Sequence, residues 1–166
     1  PLPKHINEAR VLSEVALEKD VDGFHMSSMG SLALNKMSNT FPPCTPDGCI
    51  ELLKYYGIEI SGKNAVVVGR SNIVGLPLSL LLLHNNATVT VCHSRTENLI
   101  EHTRDADILI AACGKKGLIT REHVKEGAIV IDVGIHKVPA DNKRGYTFEG
   151  DALFDEIKDK VSYITP

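Results

Sequence analysis

The residues best suited to chemistry follow an apolar run at residues 65–68. Gly69 permits a tight turn and the close approach of a ligand, Arg70 carries a planar guanidinium suited to phosphate, and Ser71 comes next. The backbone N–H groups of a helix beginning here would present partial positive charge to an anion. This pattern predicts a phosphate cradle. An ordinary strand-to-helix turn is the alternative, because the spacing of Gly69 and Gly75 departs from the G-x-G-x-x-G fingerprint.

The elements around this cradle alternate in the manner of a doubly wound parallel sheet. Residues 65–68 are continuously apolar, which is typical of a parallel strand covered on both faces. From Lys63 onward, periodicity and turn residues predict strands at 63–68, 87–93, 107–113, 128–133 and 162–164, helices at 74–84, 97–103, 120–125 and 152–158, and a polar excursion at 139–144. We therefore predict an α/β fold with a Rossmann-like, dinucleotide-binding sheet.

The chain divides into two predicted parts. Residues 7–19 show helical spacing of apolar side chains, and a short strand at residues 21–24 and a polar stretch follow. Pro42 and Pro43 then mark a stiff, extended boundary. We predict that residues 1–42 belong to a smaller α/β domain and residues 43–166 to the dinucleotide-binding domain.

Composition argues against several classes of function. The 166 residues are 43% hydrophobic and carry a formal net charge of −3, and their 18 Lys and Arg residues are dispersed, so we expect no nucleic-acid partner. The longest apolar run, residues 76–83, is interrupted by Pro77 and is too short for a membrane span. The seven histidines lack metal-ligand spacing, so we expect no metal site. The cysteines form no C-x-x-C pair, and we expect them to be reduced thiols: Cys44, Cys49, Cys92 and Cys113. We expect a cytoplasmic location.

The loop after the second predicted strand decides which dinucleotide would bind. An acidic residue there would bind the ribose 2′-hydroxyl of NAD and repel a 2′-phosphate. Here Ser94 offers a hydrogen bond, and Arg70 or Arg95 supplies positive charge. We therefore predict NADP as the cofactor in preference to NAD. Two alternatives remain open: Glu97 could turn inward instead of serving the start of a helix, and the loop could be a solvated turn.

Three longer segments carry a specific resemblance. They are Val68-Gly69-Arg70-Ser71-Asn72-Ile73-Val74-Gly75-Leu76-Pro77, Pro43-Cys44-Thr45-Pro46-Asp47-Gly48 and Lys19-Asp20-Val21-Asp22-Gly23-Phe24. In this order they resemble the signatures of the methylenetetrahydrofolate dehydrogenase/cyclohydrolase family. The match continues through Ile131-Asp132-Val133-Gly134-Ile135 and Ile164-Thr165-Pro166, so it spans essentially the whole chain.

The resemblance implies roles for individual residues. In NADP-using members of the family, the residues matching Arg70 and Ser94 hold the 2′-phosphate, and the residue matching Ile135 lies against the cofactor. The aspartate matching Asp22 hydrogen-bonds the pterin ring of tetrahydrofolate, which makes Asp22 the expected catalytic carboxylate. Without the resemblance, Asp22 is a turn residue, and its neighbour Asp20 is interpreted as solvated polarity at a helix end. Asp132 is interpreted as a structural carboxylate held by backbone N–H groups.

The chain also departs from the family pattern. Family chemistry uses a lysine in a Tyr-x-x-x-Lys segment, which would lie upstream of Pro1, and the glycine-rich folate loop would follow Pro166. The chain begins without methionine, so we expect a portion of a longer enzyme that binds cofactor without turnover. His136 stands where many relatives carry asparagine.

The leading hypothesis is part of a bifunctional, NADP-dependent 5,10-methylenetetrahydrofolate dehydrogenase and 5,10-methenyltetrahydrofolate cyclohydrolase of one-carbon metabolism. The family implies tetrahydrofolate derivatives as substrates and a homodimer. A mitochondrial location is the alternative to the cytoplasm, since a transit peptide would precede Pro1. A naturally shortened, non-catalytic nucleotide-binding or dimerising module is the second hypothesis, and an unrelated NAD-dependent dehydrogenase is the third.

Overall fold

A computed structural model of the chain describes residues 3 and 5–166. Pro1, Leu2 and Lys4, which belong to the first predicted part, lie outside the described residues. The helices are α1 (Glu8–Ser13), α2 (Met26–Ala33), α3 (Cys44–Tyr55), α4 (Gly75–His84), α5 (Leu99–Thr103) and α6 (Phe154–Ile157), with 3-10 turns at Leu17–Lys19 and Arg121–His123. The strands are β1 (Asn64–Val68), β2 (Thr88–Cys92), β3 (Ile108–Ala111), β4 (Ile129–Asp132), β5 (His136–Pro139), β6 (Tyr146–Glu149) and β7 (Tyr163–Ile164).

Five strands form one parallel sheet in the order β2-β1-β3-β4-β7. Chain order reverses direction between β1 and β3, and such a switch point opens a crevice for ligands beyond the carboxyl ends of the strands. The register sets Val68 beside Cys92 on β2 and beside Ala111 on β3, so these three strands end together. The predicted doubly wound α/β fold is confirmed.

Apolar side chains from both faces of the sheet build two cores. Ala65 and Val67 of β1 belong to the cluster shared with α3 and α4, while Val66 and Val68 belong to the cluster shared with Ile119, Val124 and Ile157. These four of the five β1 residues are at least 98% buried. Burial on both faces explains why the sequence of β1 is continuously apolar instead of alternating.

The first part of the chain differs from its prediction. The predicted helix at residues 7–19 ends at Ser13 in the structure and is followed by the short 3-10 turn. Val11 and Val15 are 44% and 38% exposed, so helical spacing here does not correspond to a buried face that could extend the helix. The strand predicted at residues 21–24 is absent, and this segment is a turn that leads into α2, which was not predicted.

The predicted polar excursion at residues 139–144 is the turn region of a hairpin. Strands β5 and β6 pair in an antiparallel manner, with His136 opposite Glu149 and Pro139 opposite Tyr146. The flanking strands were not predicted, because their mixed sequences lack a clear alternation of apolar and polar residues, and their side chains are only partly buried. Within the described part of the chain, no helix is long and apolar enough to cross a membrane.

Candidate functional site

A cleft of about 490 Å³ opens at the switch point between β1 and β3. Four of the residues predicted to bind cofactor line it together: Gly69, Arg70, Ser71 and Ser94. The first three follow β1, and Ser94 follows β2. The structure therefore brings the loops after two neighbouring strands to one ligand-sized space.

Glycine is required both at the start of the loop after β1 and at the first residue of α4. Gly69 has a φ of +133°, and a Cβ there would lie 2.6 Å from the carbonyl carbon of Ala112 at the end of β3. A Cβ on Gly75 would lie 2.5 Å from the carbonyl carbon of Gly69 and 2.8 Å from the nitrogen of Arg70. The spacing that departs from the common fingerprint thus still gives a close backbone fit between strand, loop and helix.

Ser71 connects the cleft to the beginning of α4. Its hydroxyl oxygen accepts hydrogen bonds from the backbone N–H groups of Val74, at 3.2 Å, and Gly75, at 3.4 Å. Because these bonds use the oxygen as an acceptor, the hydroxyl proton is free to be donated to an anion. The helix dipole adds positive potential in the same direction.

The charges lining the cleft suit phosphate. Arg70 and Lys115 both line it, and none of its described lining residues is an aspartate or glutamate. Arg95 and Glu97 are exposed and do not line it. Of the two arginines considered for the 2′-phosphate, Arg70 lines the same cleft as Ser94 and Arg95 does not, and the carboxylate of Glu97 also lies outside the cleft.

Several lining residues were missed by sequence reasoning. They are His93, Thr96, Leu99, Lys115 and Leu118. The Thr96 hydroxyl oxygen accepts a 2.8 Å hydrogen bond from the His93 N–H, which fixes the turn that carries Ser94. Lys115 could have been predicted from the sequence, because a cation shortly after the third strand of such a sheet lies near the switch point.

Cys113 lines the cleft from the turn after β3. Its thiol lies 3.3 Å from the Oδ2 atom of Asp151 and is half-buried. Burial raises the pKa of the Cys113 thiol to about 11, with the charge of Asp151 acting in the same direction. The thiol is therefore protonated at neutral pH and donates a hydrogen bond instead of acting as a nucleophile.

Ile135 lies outside this cleft. It is 76% exposed and lines a neighbouring depression of about 530 Å³ with Gly134 and Phe148. The loop that carries Ile135 is nevertheless fixed by Asp132 at the end of β4. The Asp132 carboxylate accepts backbone N–H bonds from Gly134, at 2.8 Å, Asp151, at 3.0 Å, and Ala152, at 2.7 Å, as expected for a structural carboxylate.

Asp20, in the first part of the chain, differs from its interpretation. Asp20, interpreted as solvated, is 7% exposed, and its carboxylate accepts hydrogen bonds from the N–H groups of Phe24, at 3.1 Å, and His25, at 3.0 Å, and from the Ser28 hydroxyl, at 2.6 Å. That interpretation is wrong, because Asp20 satisfies the donors that begin α2. Burial alone would raise the pKa of Asp20, but these hydrogen bonds outweigh it and lower that pKa.

Asp22 is exposed and lines neither the cleft nor the Ile135 depression. Its Oδ1 atom lies 3.7 Å from the thiol of Cys44, at the start of α3. The adjacent Gly23, with a φ of +68°, would place a Cβ 2.9 Å from the nitrogen of Pro43. The turn that carries Asp22 is thus packed against the Pro-Cys-Thr-Pro segment, and its carboxylate is exposed at the surface.

Comparisons with known proteins give the family. Residues 43–166 match the model of the tetrahydrofolate dehydrogenase/cyclohydrolase NAD(P)-binding domain. The bifunctional protein FolD of Brevibacillus brevis is 54% identical over the whole chain, which spans 56% of the length of that relative.

Two solved structures are similar over the whole chain. The bifunctional FolD enzyme of Campylobacter jejuni has a TM-score of 0.93 and 47% identity, and this chain covers 57% of it. The FolD enzyme of Trypanosoma brucei, complexed with NADP cofactor and an inhibitor, has a TM-score of 0.92, 41% identity and 57% coverage. The chain belongs to the tetrahydrofolate dehydrogenase/cyclohydrolase family.

Proposed function

We propose that this chain is the NADP-binding part of a bifunctional 5,10-methylenetetrahydrofolate dehydrogenase and 5,10-methenyltetrahydrofolate cyclohydrolase. The observation that carries the proposal is that Arg70 and Ser94 line one cleft at the switch point, with no carboxylate among its described lining residues. A guanidinium and a hydroxyl suit a 2′-phosphate. The missing carboxylate removes both the partner for a free 2′-hydroxyl and the repulsion of a phosphate.

Four residues of the cleft, and Ile135 outside it, have tasks in this proposal. Gly69 lets the pyrophosphate approach the backbone, and Ser71 donates its hydroxyl proton to a phosphate oxygen. Arg70 and Ser94 bind the 2′-phosphate, and Ile135 contacts the cofactor from the loop after β4. When bound, NADP would supply the hydride acceptor for the methylene bridge of the folate, and the protein would contribute chiefly distance and orientation.

The folate side depends on Asp22. In the proposal its exposed carboxylate orients the pterin ring, from a turn fixed by Gly23 and by the buried carboxylate of Asp20. The family's Tyr-x-x-x-Lys segment is not found in the sequence. We therefore expect the isolated chain to bind NADP without turnover, with tetrahydrofolate derivatives as substrates of the longer enzyme.

Three further expectations remain proposals. They are the division into a partial folate domain at residues 1–42 and a cofactor domain at 43–166, the homodimer, and the cytoplasmic location. The start of the family-model match at residue 43 supports the first. Sedimentation velocity of the purified chain tests the second, and localisation of the tagged full-length protein tests the third.

Isothermal titration with NADP and NAD tests the central proposal. The unsubstituted chain is expected to prefer NADP by at least about tenfold, or about 1.4 kcal/mol. Arg70→Ala should weaken NADP binding much more than NAD binding. Arg95→Ala is the matched control, because Arg95 follows Ser94 but does not line the cleft. Preference for NAD, or equal losses for both dinucleotides in Arg70→Ala, would contradict the proposed 2′-phosphate site.

A further inference from the structure

One carboxylate that the proposed function leaves unused is the most deeply buried in the described part of the chain. Asp151 has no exposed surface. Its Oδ2 atom accepts hydrogen bonds from the backbone N–H groups of Cys113, at 2.8 Å, and Gly114, at 2.9 Å, and lies 3.3 Å from the Cys113 thiol. Its Oδ1 atom lies 2.8 Å from Nε2 of His136.

The carboxylate is ionised in this position. Burial alone would raise the pKa of Asp151, but hydrogen bonds from His136, Gly114 and Cys113 outweigh burial and lower that pKa. Because an ionised carboxylate only accepts hydrogen bonds, Nε2 of His136 carries the ring proton and donates a hydrogen bond to Oδ1. The two backbone N–H groups, the thiol and the imidazole therefore all donate toward the carboxylate, which gives a strong, directional set of contacts.

These contacts join the turn after β3 to the first residue of β5. Cys113 follows β3 and lines the cofactor cleft, whereas His136 begins β5 and directly follows Ile135, which lies in the loop between β4 and β5. Asp151 lies between them, so one side chain bridges the wall of the cleft and the loop that presents Ile135.

The bridge itself is held in place. Asp132 accepts the backbone N–H of Asp151, at 3.0 Å, which links the position of Asp151 to the end of β4. A Cβ on Gly134 would lie 2.5 Å from Cγ of Asp151, so the loop backbone packs directly against the carboxyl group. Little room exists for Asp151 to adopt another position.

We propose that Asp151 is a positioning residue that fixes the Cys113 turn relative to Ile135 and thereby shapes the nicotinamide half of the cofactor site. The proposal rests on the proposed function, because it requires a dinucleotide in the cleft. Arg70 and Ser94 follow β1 and β2, whereas the bridge joins the turn after β3 to the start of β5, next to Ile135 in the loop after β4. Loss of the bridge should therefore weaken contacts to the nicotinamide and leave the adenosine half unchanged.

Two ligands distinguish the adenosine half of the cofactor site from the nicotinamide half. NADP occupies both halves, whereas adenosine 2′,5′-bisphosphate carries the adenosine, its 2′-phosphate and one 5′-phosphate but no nicotinamide. Titration calorimetry with both ligands would be performed on the chain and on its Asp151→Ala, Asp151→Asn, His136→Ala and His136→Gln variants. Asp141→Asn, in the exposed hairpin turn, is the control for an aspartate substitution.

We expect Asp151→Ala to weaken NADP binding by at least about tenfold, with binding of the bisphosphate unchanged within about twofold. Asp151→Asn should lose less NADP affinity, because its amide oxygen can still accept hydrogen bonds from the N–H groups of the Cys113 turn. His136→Ala should likewise weaken NADP selectively, and His136→Gln should restore much of the loss, because its amide can donate to Oδ1.

A merely structural role would not produce this selectivity, since general destabilisation weakens both ligands together. Equal losses for NADP and the bisphosphate, or NADP binding that is unchanged in Asp151→Ala and His136→Ala, would overturn the role of Asp151. If Asp151→Ala does not fold, the His136→Ala and His136→Gln pair decides by the same criterion. Failure of the unsubstituted chain to bind either ligand would contradict the proposed function, and the role of Asp151 with it.

Discussion

Gly69 and Ala112 are in close backbone contact across the carboxyl ends of β1 and β3. A Cβ on Gly69 would lie 2.6 Å from the carbonyl carbon of Ala112 and 3.3 Å from the nitrogen of Cys113. These strands flank the switch point of the sheet, so the contact forms the floor of the cofactor cleft. Because the obstructing atoms are backbone, a side chain at position 69 would displace the strand ends.

Gly69→Ala is therefore expected to lower stability and abolish NADP binding together. The free energy of unfolding should fall by about 3 kcal/mol, from the backbone clash and the positive φ. Gly62→Ala is the matched control, because Gly62 also has a positive φ, of +74°, but a Cβ there meets no atom within 4 Å. Its cost should be about 1 kcal/mol, without an effect on NADP. Urea denaturation and calorimetry measure both, and equal stability losses in the two variants would contradict the clash.

Asp20→Asn should destabilise the chain by about 1–3 kcal/mol at neutral pH, because one of the three donors to Asp20 loses a good acceptor. The hydrogen bonds that outweigh burial keep the pKa of Asp20 lower in the folded chain than in the unfolded chain. Its stabilisation is thus present above the unfolded pKa, near 3.8, and is lost as pH falls through the lower folded pKa.

Urea denaturation at pH 7, 5 and 3 checks this pH dependence. The difference between the native chain and Asp20→Asn should be large at pH 7 and 5 and should shrink toward pH 3. Asp22→Asn is the control, since its exposed side chain should change stability by less than about 0.5 kcal/mol. A deficit in Asp20→Asn that stays constant down to the lowest pH would show that ionisation of Asp20 plays no part.

Asp132→Ala should be among the most destabilising substitutions in the sheet. It would remove the acceptor for the N–H groups of Gly134, Asp151 and Ala152, and orphaned donors of this kind cost about 1–3 kcal/mol each. Chemical denaturation should show a loss of at least about 3 kcal/mol. Asp105→Ala, at an exposed position, provides the comparison, and a similar small effect in both would refute the anchoring role of Asp132.

The thiols should react at very different rates. Cys44 is exposed, whereas burial raises the pKa of both Cys113 and Cys49 to about 11. Since the thiolate is the reactive form, an aromatic disulfide reagent at pH 8 should label Cys44 first. Peptide mapping identifies the labelled thiol, and Cys44→Ser should remove the fast phase. Labelling of Cys113 at the rate of Cys44 would contradict its protonated, hydrogen-bonded state.

The sheet was predictable because its strands are buried on both faces, which leaves continuous apolar runs such as Ala65–Val68 in the sequence. The boundaries shifted by one or two residues at most strands, where a terminal residue faces solvent or a turn. The predicted helix at residues 7–19 failed for the opposite reason. Its periodic apolar residues include Val11 and Val15, which are exposed, and periodicity cannot show whether a core exists to receive a helix face.

The cofactor loop was predictable because glycine, arginine and serine after a buried strand have a direct physical reason to be there. The cleft unites Gly69, Arg70, Ser71 and Ser94, although their roles as ligands stay predictions. Asp151 could not be interpreted from sequence, because the Cys113 N–H that it accepts lies 38 residues away along the chain. The partners of Asp20 are nearby in sequence, but they converge on its carboxylate only through a turn and helix α2 that were not predicted. A buried carboxylate held by N–H donors looks like any surface aspartate until the fold is known.

The alternative of a shortened, non-catalytic module makes the same prediction for cofactor binding as the leading proposal. The complete reading frame separates them. An upstream Tyr-x-x-x-Lys segment would support the bifunctional enzyme, and a native message without it would favour the module.

A crystal structure of the chain with NADP tests the central claim most directly. We predict that the 2′-phosphate lies within hydrogen-bond distance of the Arg70 guanidinium and the Ser94 hydroxyl, with the pyrophosphate at the beginning of α4. A bound cofactor whose 2′-phosphate contacts neither residue, or that occupies another surface, would contradict the account.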